Sequence, residues 1–261
     1  MSQEFETRYL LDLKRILSYG SNKPDRTGIG TLSEFGLRYR IDLRDGFPLL
    51  TTKFVNFEII KKELFWFLRG ETNVNTLGAR IWDEWADENG DLGPVYGVQW
   101  RNWDGTDQIQ EMVDLLLNDP NSRRMVVSTW NLGALEQMRL YPCHVLFQLY
   151  SSHNELSLMI YQRSADMFLG IPFNIASYAL LCHLFAKRCG MVAKELIWVG
   201  GDCHIYKNHV NSVKTQLERE PYLPPSIEIV RPQEELWKYR EHHVVLNNYK
   251  HYEPIKAMVA V

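Results

Sequence analysis

Cys143, in the stretch LYPCHVLFQLY, stands where a thiol could act as a nucleophile. Pro142 fixes the backbone before it and an apolar strand follows, so the sulfur sits at the start of a strand. A thiolate is a soft nucleophile suited to an electron-poor ring carbon, and it needs nearby positive charge to lower its pKa. Taken alone, the fragment fits a buried structural cysteine better. Cys182 and Cys189, on an apolar helical stretch, read that way.

The run YQRSADMFLGIPFNIAS, residues 161–177, is denser in possible functions. Arg163 and Ser164 offer donors for a phosphate, Asp166 a carboxylate, Gly170 close backbone approach and Asn174 an amide. Each alone reads as a surface or capping residue; together, between apolar neighbours, they look less like a solvated face. Arg26 and the adjacent Arg123 and Arg124 could complete a guanidinium cluster around one phosphate. Neighbours on an extended segment point to opposite faces, so both of that pair reaching one ligand requires a turn or an interface.

Glu63 lies within the apolar KKELFWFL, where desolvation would raise its pKa toward the range useful for proton transfer. A helix-surface glutamate beside Lys61 and Lys62 fits equally. Trp82 and Trp85 would ordinarily be core residues, yet their polar, Gly-rich setting suits a stacking platform for a flat heterocycle. His204 and Tyr206, two apart, share a face if the segment is extended. The eight histidines show no HxxxH or HExxH spacing, so no metal is expected.

The elements that must position these groups are legible in outline. Periodicity predicts an opening helix over 4–19, stopped by Gly20, then a turn-rich loop carrying Arg26. A half-buried strand follows, with Phe35, Leu37, Tyr39, Ile41 and Leu43 on its inner face. Residues 54–69 read as a helix ended by Gly70. Residues 71–106, with Trp82, Trp85, Trp100 and Trp103, read as a long ordered loop with short helical turns. Further on, the pattern gives a helix at 107–118 and a strand through RMVVSTW. Two strands over 143–163 turn around Ser152 to Asn154, and a long apolar helix covers 173–189. A strand ELIWVGG, a helix over 204–219 and short strands near 226–230 and 243–248 complete the chain. The mixture shows neither βαβ regularity nor a linker, which points to one α+β domain over residues 1–261.

Composition narrows the function. With 261 residues and 45% hydrophobic content, the chain can bury a real core. A formal net charge of −3 offers no basic field to gather nucleic acid, so an anionic partner must be met by a local cluster. No stretch has the uncharged length of a membrane span, and the N-terminus lacks the pattern of a signal peptide. The four cysteines sit at irregular spacing, without a disulfide framework or a metal pair. The expectation is a soluble cytoplasmic protein with reduced thiols.

In this order, DRTGIGT, FPLLTTK, ELFWFLRG, IWDEWADENGDLGPVYG, QW, DPNSRRMVVSTWN, PCH, QRSADMFLGIPFNIASYALL, GGDCHIY, LEREP and IKAMVAV resemble the thymidylate synthase family from residue 25 to 261. The resemblance implies a mixed, largely antiparallel sheet covered by helices, and a homodimer packed through sheet faces. It implies methylation of dUMP to dTMP with 5,10-methylenetetrahydrofolate as donor of both carbon and hydride. Cys143 would add to ring carbon 6. Arg26, Arg163, Ser164 and Gln162 would hold the nucleotide, joined by Arg123 and Arg124 from the other subunit. Asn174 would read the uracil, and His204 and Tyr206 would bind the sugar hydroxyl. Glu63, with His144 and Tyr96, would organise the proton transfers. Folate would meet Trp82, Trp85, Asp166, Leu169, Gly170 and Phe173, with Lys53 on its glutamate tail and Val261 in a closing C-terminal tail; Asp166 would touch nucleotide and folate alike.

Three positions depart from the family pattern: Tyr141 before Pro142, Met258 in place of a proline, and a shortened segment between Thr72 and Ile81. Two alternatives remain open. A dUMP hydroxymethylase of the same fold would let water capture the methylene. Asn174 argues against the cytosine version, where an aspartate is expected, and Trp82, shielding the methylene, favours methylation. A regulatory RNA-binding role lacks a basic stripe.

Overall fold

The structure is a computed structural model and describes residues 2–259. Helix α1 (Ser2–Tyr19) buries Phe5, Tyr9, Leu13 and Ile16 along one face. It stops at Gly20, whose N–H bonds the Ile16 carbonyl at 2.8 Å. A side chain there would press its first carbon to 2.5 Å from that same oxygen, so the stop requires glycine.

The following loop contains a short strand, β1 (Ser21–Lys23), which pairs with β2 (Thr31–Asp42). Helix α2 (Phe57–Leu68) starts later than periodicity suggests because the Asn56 side chain caps it, accepting from the Glu58 and Ile59 N–H groups. A short α3 (Tyr96–Arg101) and α4 (Gln108–Asn118) lead to β3 (Val126–Ser128). Next come β4 (His144–Ser152) and β5 (Glu155–Asp166), joined where expected by His153 and Asn154 with φ of 54° and 62°. Two consecutive left-handed residues make the turn whose twist matches a hairpin.

Helix α5 (Gly170–Arg188) connects β5 to β6 (Val192–Tyr206), and these two strands pair in parallel. The chain therefore holds one βαβ crossover that the sequence pattern did not reveal, because α5 is apolar nearly all round and its strands are long and irregular. Helix α6 (Val210–Leu217) and a separate two-stranded ladder, β7 (Ser226–Ile229) with β8 (Val244–Asn247), complete the described chain. The main sheet has the order β1-β2-β6-β5-β4-β3, antiparallel except for β5 with β6. This is a single α+β domain with a mixed sheet flanked by helices.

Two expectations are corrected. Phe35 does not join Leu37, Tyr39 and Ile41 on the buried side; it is 83% exposed. Gly36 adopts a φ of +88°, which turns the strand between them. Residues 204–219 are not one helix. His204 and Tyr206 stay extended because they pair with Ser33 and Thr31, and a 3₁₀ turn at Lys207–His209 intervenes before α6. No helix among the described residues is long and apolar enough to cross a membrane.

Candidate active site

Cys143 lies half-buried on the loop leading into β4, with its backbone held from two sides. Its N–H donates to the Tyr96 hydroxyl at 2.8 Å, and its carbonyl accepts from the Arg163 N–H at 2.9 Å. The Arg163 guanidinium reaches back to the carbonyls of Pro142 (2.8 Å) and Tyr141 (2.9 Å) and lies 5.2 Å from the Trp130 ring centre. A cation is thus fixed beside the thiol, as a reactive cysteine requires. Within one chain burial still outweighs it: desolvation pushes the thiol pKa up, Arg163 pulls it down, and Asp166 adds to the rise. Tyr141, one of the departures, supplies a backbone carbonyl to Arg163 while its own hydroxyl donates to Glu136 at 2.6 Å.

Buried titratable groups stand on the α2 and α3 side. Glu63 accepts from the Trp82 indole N–H at 2.7 Å, and desolvation pushes its pKa up to about 7, with that hydrogen bond opposing. Burial pushes His144 down to about 4, opposed by a hydrogen bond with Asn174, so the imidazole is neutral near neutral pH. Its buried Nδ1 has no partner. The Tyr96 ring bridges the two, 6.1 Å from Trp82 and 5.0 Å from His144.

A second polar group comes from β5, α5 and β6. Gln162, 2% exposed, donates to Asn174 Oδ1 (3.0 Å) and to the Ser164 carbonyl (3.0 Å), and accepts from the Trp198 indole (3.0 Å). Gln162 holds Oδ1 and His144 also bonds this side chain, and together they fix which way the Asn174 amide points. The sequence offered Gln162 as a nucleotide contact; the structure gives it the further work of orienting Asn174. On β6 the His204 and Tyr206 rings lie 5.1 Å apart. Tyr206 is pushed up to about 12, first by burial and then by the charges of Asp166, Asp25 and Cys143, with Arg26 opposing. The same pocket therefore gathers Arg26, Cys143, Asp166 and Tyr206. Arg26 is presented by a tight loop in which Asp25 accepts from the Thr27 N–H (2.8 Å) and the Gly30 N–H (2.6 Å).

Arg123 and Arg124 are not brought to this pocket. They are exposed just before β3, whose pairing of Val126 with Gln148 puts them at the Tyr150 end of β4. That is about 20 Å along the strand from Cys143. Their own chain cannot use them there.

The residues the resemblance offers for folate flank the cleft. Trp82 packs edge-on against Trp85 at 5.7 Å, and Leu169 and Phe173 are half-buried around Gly170, where α5 begins. Asp166 accepts from the N–H groups of Phe168 and Leu169, which shapes that turn.

Lys53 is placed otherwise than a residue meeting an outlying carboxylate tail should be. It is 4% exposed, donates to the Phe168 carbonyl and sits 3.7 Å from the Phe168 ring centre. Burial pushes its pKa down to about 7, with Asp166 opposing. Its ammonium braces the Asp166–Leu169 turn from beneath.

Val261 lies outside the described residues. Met258 is 76% exposed, and what it offers the protein is its carbonyl, 2.7 Å from His209 Nε2. A proline would present the same oxygen, so this departure leaves the contact unchanged. The shortened segment folds onto the neighbouring turn, with the Val74 N–H on the Gly90 carbonyl at 2.8 Å. Trp130, Trp198 and His209, which support the site, carry no sequence signal of their own. Only their distant partners reveal them.

A family model described as thymidylate synthase matches residues 7–261. Among curated proteins, the thymidylate synthases of Coxiella burnetii strains Dugway 5J108-111 and RSA 493 / Nine Mile phase I are each 53% identical to this chain over 261 residues. Each match covers 97% of this chain and 99% of the relative.

Proposed function

The chain belongs to the thymidylate synthase family, and we propose that its cleft performs the reductive methylation of dUMP to dTMP, with Cys143 as nucleophile. Carrying this reading is a half-buried thiol beside a fixed guanidinium, in the same cleft as an amide whose direction is locked. Asn174 can donate to a uracil oxygen and accept from the adjacent ring N–H. Arg26 and Ser164 meet the phosphate together with Arg163, and His204 and Tyr206 meet the sugar hydroxyl.

In the reaction the Cys143 thiolate forms a bond to ring carbon 6, and the electron pair moves to carbon 5 and the neighbouring carbonyl oxygen. Glu63, near balance between its two charge states, handles the proton at that oxygen through ordered water, supported by His144 and Tyr96. 5,10-Methylenetetrahydrofolate supplies the one-carbon unit and the hydride and leaves as dihydrofolate. Trp82 and Trp85 shield that step from water, and Asp166, Leu169, Gly170 and Phe173 form the bed for the pterin. Carbon 5 bonds the methylene, and loss of the carbon 5 proton breaks the bond between that methylene and the folate nitrogen. Hydride addition to the exposed methylene pushes electrons back into the ring and expels the Cys143 thiolate from carbon 6. The setting is a reducing cytoplasm in which Cys143 remains a thiol.

Arg123 and Arg124 act on a second copy of the chain. The sheet face turned away from the helices carries Phe35 (83% exposed), Tyr150 (65%), Val126 (39%) and Met159 (38%), apolar surface that a homodimer packed through its sheets would cover. The arginines lie at the edge of that face. There they add charge to the partner's phosphate site and pull its Cys143 thiol down.

The test is incubation with dUMP and methylenetetrahydrofolate, following nucleotide mass and dihydrofolate together. dTMP with equimolar dihydrofolate is expected, and Cys143→Ala should form neither while still binding dUMP. A hydroxymethyl nucleotide without dihydrofolate would overturn the reading.

A further inference from the structure

The chain after β8 crosses back over the molecule and lies along α6. Its fixed points are bonds from side chains to its backbone. Arg219 donates to the Glu253 carbonyl at 2.9 Å while also holding the Thr52 carbonyl at 2.8 Å. Ser212 donates to the Lys256 carbonyl at 3.4 Å, and His209 Nε2 to the Met258 carbonyl at 2.7 Å. The Tyr252 N–H, at the start of the segment, bonds the Thr51 carbonyl at 2.8 Å, and the Tyr252 ring stacks on Tyr222 at 4.9 Å.

These donors match the tail in spacing and direction. Ser212 lies on α6, with His209 on the 3₁₀ turn before it and Arg219 two residues past its end, so the three donors follow one another along this segment. Five residues of extended chain, 253 to 258, span about 17 Å. The two run antiparallel, so successive carbonyls meet successive donors. Ile255 and Ala257 turn inward and pack on the core, whereas Met258 is 76% exposed.

The last donor also faces the cleft. A carbonyl can only accept, so His209 Nε2 carries the proton and, in the neutral ring, Nδ1 is bare. That Nδ1 is fully buried, has no hydrogen-bond partner and lies 3.9 Å from Asp166 Oδ1. The His209 ring is wedged between Phe168 (5.5 Å) and Tyr206 (5.6 Å), one on the folate turn and the other in the sugar pocket.

From this arrangement we infer that the 209–219 face is a rail reading the tail by its carbonyls, and that His209 is the positioning residue coupling tail docking to the Asp166–Leu169 turn. The inference rests on the reading of the cleft given above. It makes the docked tail a condition for a correctly set folate turn, through one ring that touches neither substrate. The tail's side chains at 253, 256 and 258 are outside the recognition.

Carboxypeptidase digestion of the full-length protein reads the tail directly, and is compared with kcat and KM for methylenetetrahydrofolate and with the Kd for dUMP. His209→Phe keeps the ring volume and loses the donor. It should speed release of C-terminal residues about fivefold, the scale of one lost hydrogen bond. It should also raise the folate KM by a similar factor and leave the dUMP Kd within twofold. His209→Gln, whose amide N–H₂ reaches the Nε2 position, should restore both. Should the phenylalanine variant fail to fold, His209→Asn remains: it is polar but too short to reach Met258, and should behave as the phenylalanine variant was expected to. Digestion at the wild-type rate in the folded variants, or dUMP binding that weakens as much as folate binding, would overturn the coupling. Because digestion does not depend on turnover, such a failure leaves the assignment of the reaction standing.

Discussion

Two corners of the cleft are built from similar buried polar residues and solve opposite problems. At the corner proposed to read the base the polar atoms answer one another. Gln162 satisfies Asn174, Ser164 and Trp198 at once, each at 3.0 Å, and the amide left over is fixed in direction. At the proton-handling corner they do not. Glu63 has one bond from Trp82, His144 keeps an unpartnered Nδ1, and both have displaced pKa values because burial is only partly compensated. A reader of bases needs dipoles that cannot turn, since a misplaced buried donor is what rejects the wrong ligand. A handler of protons needs groups for which neither charge state is strongly held.

The largest expected effect breaks the second corner. Glu63→Gln keeps the shape and the Trp82 contact but removes the titration, and kcat should fall about a thousandfold while dUMP still binds. Any limb near pH 7 in the wild-type pH–rate profile should vanish with it. Stability should move the other way. The folded state holds the Glu63 proton more tightly than the unfolded state, so stability from this site is greatest below about pH 4.5 and falls as pH rises to about 7. The glutamine variant should therefore unfold at higher denaturant than wild type above pH 7. A kcat within tenfold of wild type would erase the distinction between the corners.

Asn174→Asp sharpens the first corner. Gln162 would still donate to the new carboxylate, holding it in place as an acceptor suited to the amino group of cytosine. Two changed partners at one misplaced bond each shift the dUMP to dCMP preference by roughly two orders of magnitude. Measurement of kcat/KM for both nucleotides decides it, and an unchanged ratio would mean that Asn174 does not read the base.

The smallest effect concerns His144. Its folded pKa of about 4 lies below the ordinary value of 6.5, so between these values the unfolded chain takes a proton that the folded one refuses. Stability is lost as pH falls through that window. His183, also pushed to about 4 by burial, contributes alongside it. Urea unfolding near pH 7 and near pH 4 should show a shallower loss for His144→Asn than for wild type. Equal losses would show that His144 is hydrated and no member of a desolvated corner.

Much of this was legible in the sequence where one local rule decided the outcome. The β4–β5 hairpin followed from strand alternation interrupted at Ser152 to Asn154, whereas apolar neighbours left Glu63 equally readable as buried or as a helix-surface residue until its burial was seen. Phe35 escaped because alternation assumes a continuous pleat, and the positive φ of Gly36 breaks it. His204 and Tyr206 looked helical by composition and are held extended only by β2, from the other end of the chain. The burial of Lys53 beneath Phe168 and the place of His209 between the tail and Asp166 are tertiary facts, with no periodicity to announce them.

The order of the sheet also has a meaning in chain entropy. The β4–β5 pairing closes a loop of two residues, whereas β2 reaches β6 only after most of the chain has been threaded between them, from Thr31 to Tyr206. Closing long loops costs more and happens more slowly than closing short ones. Arg26 precedes β2, Ser164 lies near the end of β5, Asn174 in the second turn of α5 and His204 near the end of β6, so the proposed phosphate and sugar pockets are complete only once those distant closures are made. A chain that has formed its hairpin but not joined β2 to β6 has Cys143 beside Arg163 and Ser164 but lacks Arg26 and His204 in place. On the proposed reading of the site, dUMP binds the completed topology best and, by mass action, holds shut the contacts that were hardest to make.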